Sequence, residues 1–291
     1  MVELNNRPKN IAIIFAGGVG QRFGSELPKQ FHEVCGKDII LYTVEKFQNH
    51  PEIDEIYIGC REENIYYLAN LVYNNRITKV PEGGIVVGGA NGQDTIYRIL
   101  RRAKENNNDD AIVLINDGVR PIITDEDISA NIRSVIERGS TATVRKSVST
   151  PYYSINGDVI DKIIDRNRSY EGVAPQSFRL GHILDAHERI RAIDPNYEGV
   201  YDGAKILDSA SLVRAMFGES IYIVNGNPYN MKITSFLDKY IFRAVVEAKD
   251  EINSAQKKKS IQIDASELSE ESARLVKIYH TPKDGDDNGN K

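Results

Sequence analysis

The chain has 291 residues, a formal net charge of −5, 41% hydrophobic and 27% charged residues, which suits a soluble globular protein with room for a full core and nothing fibrous. That charge argues against general attraction to nucleic acid or to an anionic membrane and favours a small anionic ligand held in a local basic pocket. Cys35 and Cys60, with no CxxC pattern, argue against a disulfide framework, fit a reducing compartment and are expected to be packing residues.

The opening MVELNNRPKN is polar and leads directly into an apolar run. A cytoplasmic protein is therefore expected, with no signal peptide and no membrane span. Residues 11–15 read as a strand, and the turn after it carries Gly17, Gly18 and Gly20, then Arg22 and Lys29 in a loop otherwise poor in charge. Without Cβ atoms, such glycines let backbone N–H groups close on a polyphosphate. Arg22 and Lys29 add mobile positive charge where phosphorus chemistry creates negative charge. The Gly18-x-Gly20-x-x-x-Gly24 string alone also suits a dinucleotide fold, or no ligand at all.

Helix-length amphipathic stretches at 39–47, 62–74, 93–105 and 125–138 then alternate with short β-branched runs at 55–60, 85–87, 111–116 and 141–144. This alternation predicts an α/β fold, a mainly parallel sheet flanked by helices. Ligands collect at the carboxyl ends of such strands, so the Gly17–Gly20 turn, Gly88-Gly89 and Asp117 are expected on one rim. Residues 145–170 are polar and contain Asn156-Gly157, a hairpin signal. They read as a protruding two-stranded β-arm, about 145–172, that covers the site or embraces a second subunit. Helices are expected at 180–193, 205–217 and 235–248, with a last strand at 220–224. The domain reading is 1–249, followed by a C-terminal extension, 250–291, with a short helix near 265–279 and a disordered final ten residues.

Asp117 follows an apolar strand and precedes Gly118-Val119-Arg120-Pro121. Mg²⁺ prefers one or two carboxylates plus phosphate oxygens, so this one aspartate suffices to dock a metal–nucleotide complex. Alternatively it caps the next turn and pairs with Arg120. The segment from Gly88 to Thr95 offers a flexible backbone with side chains that can read a base edge, or a plain loop with an N-cap at Asp94 or Thr95. Arg166, on the arm, and Lys232, past the last strand, each bring a cation that alone would be a solvated charge. The five histidines show no HExxH spacing and read as ordinary surface or core residues.

In combination these pieces resemble a family. AGGxGxR, then PKQF, then GG-x₅-T, then a strand ending in Asp-x-x-Arg-Pro, then Asp-Arg-x₈-Pro-Gln, then Asn-x-Lys is similar to the cytidylyltransferases that activate sugar-alcohol phosphates, over residues 10 to about 248. The resemblance implies a Rossmann-like nucleotidyltransferase fold, CMP transfer from CTP to a polyol phosphate, Mg²⁺ and a homodimer joined through the arm. It makes Arg22, Lys29, Arg166 and Lys232 the catalytic cations. Phe15, Ala16, Gly17, Gly18 and Gly20, with Gly89, Ala90, Asn91, Gln93, Asp94 and Thr95, become nucleotide-binding. Asp117 would hold Mg²⁺, Arg166 and Lys232 would position the acceptor phosphate, and Arg120, Ser147 and Asp208 would lie near the acceptor.

Two departures bear on it: Gly92 stands where many relatives have Arg, and Ala174 where they have Thr before Pro-Gln. The Phe15-Ala16-Gly17-Gly18 wording and the run from Tyr170 to Phe178 resemble the branch acting on ribitol 5-phosphate in wall and capsule synthesis. The alternative is the branch acting on 2-C-methylerythritol 4-phosphate in isoprenoid synthesis. Two other classes stand beside these. A nucleotide-dependent oxidoreductase is suggested by the glycine string and Tyr201-x-x-x-Lys205, but no acidic residue ends the second strand and Arg22 and Lys29 have no use there. A non-catalytic assembly subunit would have little need of so many retained cations.

Overall fold

The computed structural model describes residues 7–17, 27–155, 157–195, 197, 200–201, 204–206 and 208–263. In chain order the strands are β1 (Asn10–Phe15), β2 (Glu33–Val34), β3 (Lys37–Asp38), β4 (Glu55–Cys60), β5 (Ile85–Val87), β6 (Ile112–Asp117), β7 (Thr141–Lys146), β8 (Tyr152–Tyr153), β9 (Lys162–Ile163), β10 (Tyr170–Arg179), β11 (Val200–Tyr201), β12 (Ala204–Lys205) and β13 (Tyr222–Asn225). The α-helices are α1 (Ile39–Asn49), α2 (Ile65–Asn74), α3 (Gly92–Lys104), α4 (Asp125–Arg138), α5 (Leu180–Ile193), α6 (Ser209–Phe217) and α7 (Phe236–Ile263). The chain divides into two units, Met1–Tyr240 and Ile241–Lys291, with the division inside α7, where the sequence reading put it at residue 250.

Seven strands form one sheet in the order β13-β7-β10-β6-β1-β4-β5. All neighbours run parallel except β10, which is antiparallel to both β6 and β7. The apolar runs of β1 and β6 lack polar alternation because helices cover both faces. Ile11 and Ile13 pack with Ile99 of α3, Ile183 of α5 and Leu212 of α6 on one side. Ala12 and Ile14 pack with Val44 of α1, Leu68 of α2 and Ile128 of α4 on the other. Parallel register then sets Phe15 beside Gly59 and Asp117, and Cys60 beside Val87. The carboxyl ends of four strands therefore meet at one rim.

Gly59 shows how tightly the sheet meets α3. A Cβ there would lie 2.7 Å from Ile99 Cδ1 and 2.8 Å from Thr95 Cγ2, inside van der Waals contact in a packed core. Gly59→Ala is expected to cost about 1–3 kcal/mol by overpacking, read as a lower urea midpoint with unchanged slope. A variant as stable as the parent would show that α3 can move away freely.

Several expectations change. The arm is expected to reach about residue 172, with no element expected over 173–179, yet residues 170–179 form β10 in the middle of the main sheet. Gly172 and Pro175 are poor strand residues, but here they coincide with a register shift between Gly172 and Gln176, where the missing N–H of proline costs no ladder bond. The two ends of the expected arm, 145–146 and 170–172, pair in the main sheet as parts of β7 and β10, and between them the ladder is the two-residue pair β8–β9, joined by residues 154–161 rather than by a two-residue turn. Gly157 has φ of 88°, and Asn156 lies outside the described residues. α3 starts at Gly92 with Asn91 as its N-cap, not Asp94 or Thr95. α7 runs on to Ile263, and the expected helix near 265–279 and the last ten residues lie outside the described residues.

The cysteines divide. Cys60 is buried, and burial, then Glu63, pushes its thiol up to about 12, so it packs as an inert hydrophobe. Cys35 is exposed, not a packing residue. With Gly36 it makes the turn between β2 and β3, at φ values of 49° and 76°.

Candidate active site

A cavity of about 440 Å³ opens at the rim. Phe15, at the end of β1, and Asn91, Gly92 and Gln93, at the start of α3, line one side. Val173, Ala174 and Gln176 of β10, with Asp208 and Ser209 at the start of α6, line the other. Asp117, Arg120 and Lys232 also line the cavity.

Those three side chains form one ionic cluster. Arg120 Nε donates to Asp117 Oδ2 at 2.9 Å, and Lys232 Nζ lies 2.5 Å from Asp117 Oδ1. Asp117 ends β6 and is buried. Burial, the largest influence, pushes its carboxyl up, but Lys232 and then Arg120 outweigh it and hold the group below the usual carboxylate range. The cluster is anchored from behind. Arg120 Nη1 donates to the Asn230 carbonyl at 3.0 Å, and the fully buried Asn230 gives its Nδ2 to the Ala174 carbonyl at 2.7 Å. Ile233 N–H meets the Val119 carbonyl at 2.9 Å, so the 230–233 segment is pinned along the 117–120 turn. This is what brings Lys232 beside Asp117 across more than a hundred residues of chain.

The turn between β5 and α3 is shaped by its own side chains. Thr95 Oγ1 accepts from Gly89 N–H at 3.0 Å and donates to the Asn91 carbonyl at 2.9 Å, while Asn91 Oδ1 accepts from Asp94 N–H at 2.9 Å. A Cβ at Gly88 would lie 2.9 Å from Thr95 Oγ1, and one at Gly17 3.0 Å from it, so the β1 and β5 turns close on one hydroxyl. Gln30 Nε2 donates to the Ala16 carbonyl at 2.7 Å from a buried position.

Of the expected nucleotide residues, Phe15, Asn91 and Gln93 line the cavity, while Ala16, Gly17, Gly89, Ala90, Asp94 and Thr95 do not. Gly18, Gly20 and Arg22 lie outside the described residues. Lys29 is half-buried in a 3₁₀ turn, Lys29–Phe31, anchored by buried Gln30 and Phe31, and is not on the cavity wall.

Of the residues expected near the acceptor, Arg120, Lys232 and Asp208 line the cavity and Ser147 and Arg166 do not. Ser147 N–H donates to the Ser169 carbonyl, and Arg166 is exposed in a 3₁₀ turn of the arm. Arg166, expected among the catalytic cations, is thus not brought to this cavity by its own chain. The sequence reading gave no role to Gln176, although it quoted the Pro-Gln pair. Its Nε2 donates to Asp208 Oδ2 at 2.7 Å and its Oε1 accepts from Ala210 N–H at 3.0 Å, fixing the start of α6 at the cavity. A polar residue in a run as apolar as 173–178 was the available signal.

Asp117 was expected to hold Mg²⁺. Both of its oxygens carry a cation, so its charge is already compensated twice and the arrangement does not fit it as a metal ligand. Its geometry instead fits a counter-ion that sets the direction of Arg120 and Lys232.

The family model for 2-C-methyl-D-erythritol 4-phosphate cytidylyltransferase matches residues 10–248. The chain is 40% identical over 242 residues to the ribitol-5-phosphate cytidylyltransferase of Streptococcus agalactiae serotype III (strain NEM316), covering 83% of this chain and 97% of that protein. It is 40% identical over 244 residues to the same-named protein of Vibrio parahaemolyticus serotype O3:K6 (strain RIMD 2210633), covering 84% and 98%. Among solved structures, the fold resembles 4-diphosphocytidyl-2C-methyl-D-erythritol synthase from Anaerococcus prevotii, at a TM-score of 0.68 and 23% identity, covering 82% of this chain and 96% of that one. It also resembles the 2-C-methyl-D-erythritol 4-phosphate cytidylyltransferase of Francisella tularensis, at 0.64 and 23%, covering 80% and 97%. The mainly parallel sheet with helices on both faces, the rim cavity with its ionic cluster and these likenesses agree: the chain belongs to the 2-C-methyl-D-erythritol 4-phosphate cytidylyltransferase family.

Proposed function

We propose that the protein transfers the cytidylyl group of CTP to ribitol 5-phosphate, giving CDP-ribitol and pyrophosphate for a wall or capsule polymer. The observation that carries this reading is the 40% identity to ribitol-5-phosphate cytidylyltransferases along nearly their whole length. The second reading, 2-C-methylerythritol 4-phosphate as acceptor, is favoured by the name of the matching family.

In the reaction an acceptor phosphate oxygen attacks the α-phosphorus of CTP. The new P–O bond forms as the bond to the bridging oxygen breaks and pyrophosphate leaves. A phosphate monoester with a second pKa near ~6 is already mostly dianionic at neutral pH, so no general base is needed. The work of the site is to hold two polyanions together and take up charge. Arg120 and Lys232, aimed by Asp117, suit the acceptor phosphate, and Asp208, oriented by Gln176, suits polyol hydroxyls. Phe15, Asn91 and Gln93 suit the nucleotide. Arg22 and Lys29 enter this proposal through their motif, as donors to the developing charge. Bound Mg²⁺ would supply further charge neutralisation, and Asp117, whose two oxygens already pair with Arg120 and Lys232, does not fit as its ligand.

We further propose that the arm joins two copies of the chain. Val148, Ile155 and Ile163 stand 85%, 77% and 67% exposed on a segment with almost no regular structure, which favours burial by a partner, and Arg166 on the same segment has no place at its own cavity. Free Cys35 and Cys60 support a cytoplasmic location. Among the described residues no helix is long and apolar enough to cross a membrane.

Pyrophosphate release with CTP, measured with ribitol 5-phosphate beside 2-C-methylerythritol 4-phosphate, tests the acceptor. The expected result is a kcat/KM at least tenfold higher for ribitol 5-phosphate. The reverse ratio would assign the other branch, and no release with either would remove the catalytic reading.

A further inference from the structure

The turn that lines the nucleotide side of the cavity is tied together locally, but one contact leaves it for a distant element. Asp94, in the first turn of α3, accepts Ala90 N–H on Oδ2 at 3.2 Å. Its other oxygen, Oδ1, accepts from Arg191 Nη2 of α5 at 3.2 Å. No Cβ fits at Gly89, since it would lie 1.8 Å from Asp94 Oδ2. The carboxylate therefore occupies the space a side chain on the turn would take.

Arg191 is itself held in place. Its guanidinium lies over the Tyr97 ring, 4.0 Å from the centroid, and its Nη1 is 3.2 Å from His187 Nδ1 and 3.3 Å from the His187 carbonyl. His187 stacks on the same Tyr97 ring, with centroids 5.7 Å apart. Burial, then Arg191, brings His187 down to about 3, so it is neutral and can accept a hydrogen bond from Arg191 at Nδ1. Arg98 also reaches Asp94, at 3.4 Å, but its side chain is 48% exposed against 19% for Arg191. The exposed pair is the screened and weaker one.

We infer that Arg191 is a positioning residue for nucleotide binding: through Asp94 it fixes the turn that presents Asn91, Gly92 and Gln93 to the cavity. Arg191 does not line the cavity, and its polar contact toward it is the one to Asp94, so its effect runs through the turn. This deepens the proposed function and rests on its placement of CTP beside that turn.

The test compares the full-length parent with Arg191→Ala, Arg191→Lys, Asp94→Asn and the Arg191→Ala/Asp94→Asn double variant. CTP binding is measured by isothermal titration calorimetry, alongside steady-state kinetics. In Arg191→Ala, Kd and KM for CTP are expected to rise about tenfold with kcat within about twofold, the pattern of lost uniform binding. The acceptor KM should be unchanged. The double variant should be no worse than the poorer single one, because both substitutions break the same Arg191–Asp94 contact. Arg191→Lys should fall between, since an ammonium keeps the charge but cannot fork between Asp94 and His187.

An unchanged CTP affinity in a folded Arg191→Ala would overturn the inference, as would strictly additive effects or a loss confined to kcat. If Arg191→Ala does not fold, Asp94→Asn alone carries the test by the same CTP readout. A parent that binds no CTP would instead remove the nucleotide reading on which the inference stands.

Discussion

Asp117→Asn is expected to lower turnover by roughly 10²–10³, because it removes what aims two cations rather than one contact. Asparagine keeps the shape but carries no charge, and its amide nitrogen would point a donor at either Arg120 or Lys232. Arg120 keeps its bond to the Asn230 carbonyl, so Lys232, with a side chain 38% exposed, is the one that turns to solvent. The acceptor phosphate then loses a fixed partner. Breaking a fully buried ion pair costs about 3–5 kcal/mol. The exposed end of Lys232 brings the expected loss of stability down to about 1–3 kcal/mol.

The sign of the pH dependence follows from the lowered carboxyl of folded Asp117. A carboxyl depressed on folding contributes stability that is fully present above its unfolded value, near ~3.9, and is lost as pH falls toward the lower folded value. Urea unfolding of parent and variant should therefore differ by a constant amount at pH 7 and 5 and converge below about 4. Added Mg²⁺ should not restore turnover to Asp117→Asn; recovery at high Mg²⁺ would return Asp117 to the role of metal ligand. Full turnover in the variant would sink the cluster as a functional unit.

Local chemistry explains why some of this was legible in the sequence. The strands at 55–60 and 85–87 and the helices at 125–138 and 180–193 were read to the residue, because each is an uninterrupted periodic run between polar breaks. β10 was not legible because glycine and proline, here Gly172 and Pro175, disfavour a central strand; only the sheet, by supplying a bulge, makes them acceptable there. The Arg120–Asp117 pair was visible as an alternative, being three positions apart. Lys232 was recognised as a cation but not as the partner of Asp117, since nothing local announces a contact made by folding a distant loop back on Val119. Asn91, which the resemblance makes nucleotide-binding, is the N-cap of α3, and capping and base reading share one sequence signature. The placing of Arg166 was not legible, because it is exposed in a 3₁₀ turn outside the cavity and no local pattern says what it meets.

That last point leads to the second large effect. Arg166→Ala and Lys232→Ala are each expected to lose at least 10² in turnover, as removal of a charge stabiliser does. Mixed after exchange of subunits, the two inactive proteins should regain activity. Lys232 lines its own chain's cavity, whereas Arg166 lies outside it. In a mixed dimer, the subunit that keeps Lys232 would receive Arg166 from the other, and one of the two sites is whole. Random pairing makes half the dimers mixed, so about a quarter of the parent activity should return in this symmetric arrangement. The regain should vanish on dilution below the dimer's dissociation constant. It should also fail when both substitutions are placed in one chain and mixed with itself. If the two single variants remain inactive together while exchange is demonstrated by mass spectrometry, the arm does not reach a partner's site. Arg166 would then act within its own chain, which would require the arm to fold back over its own cavity.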